Sequence, residues 1–148
     1  MRVLKCNKGT MLIDVMVGVY ILAIVGLIYA ATVGVSSVSR AKADQLTKAA
    51  AIANREMESI KNLGYGNATY AGLSFYGLID ATPTASPFAF NNVGTATDRV
   101  GSILPGGTAT VAISDVSGTV RRIVVTVTWR SVKQTRTAVV SSEIANLN

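Results

Sequence analysis

Few side chains in this 148-residue sequence are of types that do chemistry, and one stands where its setting demands an explanation. There is no histidine, the single cysteine is Cys6, and the eight carboxylates are scattered over unrelated segments. That composition excludes histidine- and cysteine-based nucleophilic catalysis and zinc ligation by those residues. After Gly101 only Asp115 and Glu143 are acidic, too few to encircle calcium. No catalytic residue, metal site or cofactor is expected. The exception is Asp14, which interrupts an otherwise apolar run. A carboxylate at the centre of a bilayer helix costs roughly 2.5–3.5 kcal/mol on insertion scales, so one kept there calls for a partner of opposite charge.

The element that must position Asp14 is a membrane-length helix. Val15 through Ser39 are 25 residues without a charge, more than the roughly 20 that span a hydrocarbon core. Arg2, Lys5 and Lys8 all precede the run, which places the amino terminus in the cytoplasm and everything after about Ser39 outside. Arg40 and Lys42 on the far side do not reverse this, because a long following domain translocates largely regardless of charge. A cleaved secretory signal fits poorly: cutting after Ala30 or Ala31 would put Ile28 or Tyr29 where a small residue is preferred. No apolar segment precedes Cys6, so lipidation is not expected either.

The stretch Lys8-Gly9-Thr10-Met11-Leu12-Ile13-Asp14-Val15-Met16-Val17 resembles the processing site of type IV pilins and type II secretion pseudopilins. In that family a short basic leader ends in glycine and a glutamate stands five residues into the mature chain. The resemblance implies that a prepilin peptidase cuts between Gly9 and Thr10 and methylates the new amine on Thr10. It also implies that Asp14 serves subunit assembly by neutralising a neighbouring subunit's amino terminus. The physics is compatible. Gly9 lacks a side chain and lets the backbone enter a protease cleft closely. Asp14 lies four residues beyond Thr10, about 6 Å along a helix axis, so its carboxylate can pair with an ammonium buried in the same apolar layer. Thr10 departs from the usual phenylalanine, and Asp14 is one methylene shorter than glutamate.

Beyond the span, Leu46, Ala49, Ala53, Met57 and Ile60 recur at spacings of three or four, while Asp44, Lys48, Arg55 and Lys61 fall off that line. This predicts an amphipathic helix with a core-facing stripe and an i,i+4 Asp44–Lys48 pair. With no proline before Pro83 and Gly64 as a stop signal, one helix is expected from about Thr10 to Leu63. Ala53 to Lys61 resembles the helix end of V-type minor pilins and I-type pseudopilins; Glu56 and Glu58 fit an ordinary charged helix surface as well as any subfamily meaning and receive no chemical role.

From Gly64 to Gly107 the composition turns to Gly, Ala, Thr, Ser, Asn and Pro, expected to pack over the helix as short strands or turns. Tyr65, Tyr70 and Tyr76 read as packing residues rather than a stacking surface. Period two returns in Val120 to Arg130, where Ile123, Val125, Val127 and Trp129 alternate with Arg122, Val124, Thr126, Thr128 and Arg130. Ala109, Val111 and Ile113 form a similar set. Turns at Asp115 to Gly118 and Ser131 to Gln134, with a strand at Thr135 to Ser141, predict a three-stranded antiparallel meander. The strand from Val124 to Trp129 and the start of the next resemble the sheet ending of V-type minor pilins.

The fold class is therefore α+β: a long N-terminal α-helix, transmembrane then amphipathic, packed on a small antiparallel β-sheet. Residues 1–9 form a cleaved leader, 10–39 the transmembrane and filament-core helix, and 40–148 the amphipathic half and globular domain. The net charge of +6 would fall to +3 once the leader's three cations are removed. Arg121, Arg122, Arg130, Lys133 and Arg136 gather around one hairpin and could meet nucleic-acid phosphates, although no base-reading motif accompanies them. The expected function is that of a structural subunit, a minor pilin or pseudopilin. Its expected partners are the prepilin peptidase, other pilin or pseudopilin subunits and the bacterial cytoplasmic membrane. The alternative is an uncleaved, signal-anchored extracytoplasmic binding domain, such as a DNA-binding competence factor.

Overall fold

A computed structural model describes residues 8–131 and 134–146, and of residues 8–11 the backbone alone. Met1 to Asn7 of the expected leader, Val132 and Lys133 at the second hairpin turn, and the last two residues lie outside the described residues. The fold is α+β, as the patterning predicts. The elements are α1 (Lys8–Asn67), α2 (Tyr70–Phe75), β1 (Phe88–Ala89), α3 (Val100–Ile103), β2 (Thr108–Ser117), β3 (Val120–Ser131) and β4 (Gln134–Ala145). By its contacts the chain divides after Ala41 into two compact units, and α1 contributes to both.

In the first unit α1 is bare. Its window of highest hydropathy has no buried residue, and it is long and apolar enough to cross a membrane. Two of its hydroxyls turn back onto the helix: Thr32 donates to the carbonyls of Ile28 and Tyr29 at 2.6 and 3.0 Å, and Ser37 to that of Gly34 at 2.9 Å. Side chains that satisfy themselves in this way lower the cost of an apolar surrounding.

In the second unit, Lys42–Asn148, α1 lies against an antiparallel sheet of order β1-β2-β3-β4. The helix stripe buries Ala49, Ile52, Ala53, Met57 and Ile60 against Ala109 and Val111 of β2 and Ile123, Val125, Val127 and Trp129 of β3. Leu46, expected in that stripe, is instead 53% exposed, because the covered part of the helix begins one turn later at Ala49. The Asp44–Lys48 pair forms at 2.8 Å on the solvent side.

The helix ends close to where Gly64 predicts. Gly64 adopts φ +75°, a conformation that side chains disfavour, and breaks α1 before one further short turn to Asn67. Thr69 then caps α2, its hydroxyl accepting from the Gly72 amide at 3.2 Å. A side chain at residue 72 would collide with the Asn67 backbone, so glycine is needed there. Segment 64–107 packs over the core through Leu73, Ile79, Phe88, Phe90, Val100 and Leu104. It forms two short helices and a two-residue strand rather than turns and strands alone. The expected three-stranded meander thus gains a fourth strand: β1 pairs with β2 through Phe88↔Val111 and Ala89↔Thr110.

Two strand ends also differ from expectation. β2 continues to Ser117, so the hairpin turn is Gly118 and Thr119 rather than Asp115 to Gly118. A bulge between Asp115 and Ser117 absorbs Val116, which lets the strand run further before it turns. β4 extends to Ala145 because its register with β3 is unbroken from Ser131↔Gln134 to Val120↔Ala145.

Candidate functional site

Gly9, Thr10 and Asp14 lie on the first two turns of α1. Of Gly9 and Thr10 only the backbone is described; Asp14 is described fully and is exposed. Around it Leu12, Ile13, Val15, Met16 and Val17 are exposed as well, so the carboxylate stands on an apolar cylinder with no cation beside it among the described residues. The helix that bears it is long and apolar enough to cross a membrane. On one helix, Thr10 and Asp14 sit a turn apart, about 6 Å along the axis.

The basic hairpin does not form one patch. Arg121 points to the core side of β3 and is engaged: Nε donates to Asp115 Oδ1 at 2.8 Å, and Nη1 donates to the carbonyls of Tyr65 and Ala68. Arg122, on the open face, is held by Glu143 at 2.9 Å. Arg130 lies eight residues further along the strand, about 26 Å away, beside Gly106 at the opposite end of the sheet. Arg136 pairs in register with Trp129 at that same end. Lys133 lies outside the described residues. Charge that looks clustered in sequence is divided between two ends, and at one end it is neutralised.

The three tyrosines also divide. Tyr65 lies under the Arg121 guanidinium and its hydroxyl donates to the Gly118 carbonyl at 2.9 Å. Tyr70 packs against Phe88 with ring centroids 5.5 Å apart. Tyr76 does not pack on the core: with Phe75, which is 84% exposed, it forms an edge-to-face pair at the surface.

Glu56 is the residue that sequence patterning placed wrongly. It is 3% exposed, not a surface side chain, and Oε1 finds no hydrogen-bond partner. Burial pushes its carboxyl up from 4.5 to about 7, with Arg55 nearby pulling weakly the other way. The available signal was its spacing of four from both Ile52 and Ile60, which sets it on the buried face. Among the described residues, no three His, Cys, Asp or Glu side chains gather into a metal-binding group.

Comparison with protein-family models, with curated proteins and with solved structures finds no match to this chain.

Proposed function

We propose that this chain is a structural subunit of a type IV filament-like machine, a minor pilin or pseudopilin. It is anchored in a membrane by α1, trimmed after Gly9 and packed through that helix beside other subunits. The amino terminus lies in the cytoplasm and the Lys42–Asn148 unit outside. The observation that carries the reading is a continuous helix presenting one carboxylate, Asp14, amid uncovered Leu12, Ile13, Val15, Met16 and Val17. It is supported by the resemblance of Lys8 to Val17 to a prepilin processing site and by the α+β arrangement behind it. In this mechanism the Thr10 amine of one subunit pairs with Asp14 of its neighbour. The pair removes much of the desolvation cost of both charges, so each subunit selects the next.

Crosslinking to partner pilins in membranes that also contain the peptidase tests the reading. Asp14→Ala and Asp14→Asn should insert and be cleaved normally but fail to crosslink, because truncating one half of a buried pair typically costs about 3–5 kcal/mol. Asp14→Glu should assemble. If the Ala and Asn variants crosslink as well as the original, Asp14 is not an assembly group and the chain is better read as a signal-anchored binding domain.

A further inference from the structure

We propose that, in the anchored subunit, the end of the Lys42–Asn148 unit at which its chain begins binds anionic phospholipid headgroups through Lys42, Arg130 and Arg136. The two ends of this unit differ in charge balance. At one end Arg121 is matched by Asp115 and Arg122 by Glu143. At the other, Arg130 and Arg136 are exposed, and their guanidinium groups have no ion pair or hydrogen bond among the described residues.

The unbalanced end is the one where the helix enters. The Arg130 amide donates to the Pro105 carbonyl at 2.9 Å, and Ile103, two residues earlier, lines a groove with Lys48, Ala51, Ile52 and Arg55 of α1. Arg121, by contrast, reaches the carbonyls of Tyr65 and Ala68 where α1 ends. Within this unit β3 therefore runs back along the helix, and its Arg130 end lies toward the helix's earlier turns. Lys42 opens the unit and has no side-chain partner among the described residues either. The carboxylates in the segments that build this end, Asp44 and Asp98, are matched in number by Lys48, which holds Asp44 at 2.8 Å, and by Arg99 beside Asp98 in the chain. Lys42, Arg130 and Arg136 remain as positive charge that nothing offsets.

What is joined to this end decides the partner. Lys42 stands three positions beyond Ser39, the last residue of the 25-residue uncharged run, about 5 Å along a helix axis. Where α1 crosses a membrane, the unit is thus tethered by its cationic end next to the headgroup layer. Basic side chains so placed are attracted to anionic lipid within a screening length of the surface, and the arginine fork suits a phosphate. The tether also presents headgroups at an effective concentration that a free anion in solution does not reach. The inference rests on the anchoring by α1 proposed above, and not on Asp14 or on filament assembly.

Energy transfer in nanodiscs tests it. The full chain with Cys6→Ser carries a donor dye either at Thr135→Cys, opposite Arg130 in register, or at Ser117→Cys at the balanced end, and the lipid carries a headgroup acceptor. The discs are phosphatidylcholine, alone or mixed with phosphatidylglycerol. Transfer from position 135 should be higher in the phosphatidylglycerol discs, and should fall to the phosphatidylcholine level in 1 M NaCl, where the screening length is about 3 Å. Position 117 should show no lipid dependence. Arg130→Gln with Arg136→Gln should abolish the difference, while Arg130→Lys with Arg136→Lys should keep it, which separates charge from folding. The proposal is overturned if position 135 responds equally to both lipids, if the glutamine pair keeps the difference, if the lysine pair loses it, or if free inorganic phosphate at matched ionic strength abolishes it. A chain that enters neither disc would overturn the anchoring reading and this proposal with it; entry without the lipid dependence overturns this proposal alone.

Discussion

The Arg121 guanidinium lies 4.4 Å above the ring of Tyr65 and, through Nη1, donates to that residue's carbonyl at 2.8 Å and to Ala68's at 3.2 Å. Past the break at Gly64 the chain makes one short turn, and there the Tyr65 carbonyl, which also accepts from the Ala68 amide at 3.3 Å, and the Ala68 carbonyl just beyond α1 receive the guanidinium. Arg121 thus ties the end of the helix to the start of β3. Arg121→Ala should destabilise the chain by about 2–3 kcal/mol, the cost of leaving partly buried carbonyls unmet by a charged donor. Arg121→Lys should fall between, because an ammonium keeps the charge and loses the fork. Asp115→Asn should matter little, since that carboxylate is exposed. Urea unfolding of the full chain in detergent distinguishes the three.

Glu56 makes stability depend on pH in an uncommon direction. Its folded pKa, raised by burial to about 7, exceeds its ordinary 4.5, so the folded chain keeps a proton that the unfolded chain has released. Its stabilising contribution is full below pH 4.5, is lost as the pH rises through 7, and is absent above. The swing is on the order of 3 kcal/mol. Glu56→Gln should flatten the profile between pH 4.5 and 8, and Glu56→Leu should be the most stable variant at pH 8. Urea midpoints at both pH values are the measurement; an unchanged slope in Glu56→Gln would assign the titration elsewhere.

Processing is expected to depend on the glycine. Co-expressed with an active prepilin peptidase, the chain should lose residues 1–9 and gain one methyl group at Thr10. Gly9→Val should block the cut by crowding the protease cleft. Intact-mass measurement reads both outcomes, and efficient cleavage of Gly9→Val would move the junction.

Nucleic-acid binding should be weak. With Arg121 and Arg122 already paired and Arg130 at the far end of β3, no continuous cationic track follows a phosphate backbone among the described residues. Titration of fluorescent duplex DNA should give only salt-sensitive, nonspecific affinity. Tight binding at physiological salt, lost in an Arg122→Ala, Arg130→Ala double variant, would contradict the division of charge described above.

Most of the fold was legible because its signals are periodic and local. Ile123, Val125, Val127 and Trp129 alternate without exception, and all four are buried. Gly64 marks the break in α1 because glycine takes a positive φ without the steric cost a side chain brings. What escaped depends on long-range fit. Nothing local says that Phe88 and Ala89 join a sheet, since their partners lie more than twenty residues away in β2. The bulge that delays the first hairpin turn is a property of the pairing rather than of Asp115 to Gly118. Glu56 was misread because its charge outweighed its position, although Ile52 and Ile60 bracket it on the buried face. At the candidate site, Asp14 announces itself by chemical type, whereas the neutralisation of Arg121 by Asp115 and of Arg122 by Glu143 depends on partners that only the paired strands bring beside them.

Asp14 is the one formally charged side chain from Gly9 to Ser39, and this has an electrical consequence. In the trimmed chain proposed above, the Thr10 ammonium and the Asp14 carboxylate lie a turn apart on one helix, so each subunit carries no net charge in this stretch, and pairing with a neighbour leaves that sum unchanged. Outward movement of such a chain is indifferent to the membrane potential. Asp14→Ala leaves the ammonium uncompensated, and with the amino terminus cytoplasmic and the cytoplasm negative, that cation is held back by about 2.3 kcal/mol per 100 mV for a full crossing. Collapsing the potential with an ionophore should leave extraction of the original chain unchanged and speed that of Asp14→Ala.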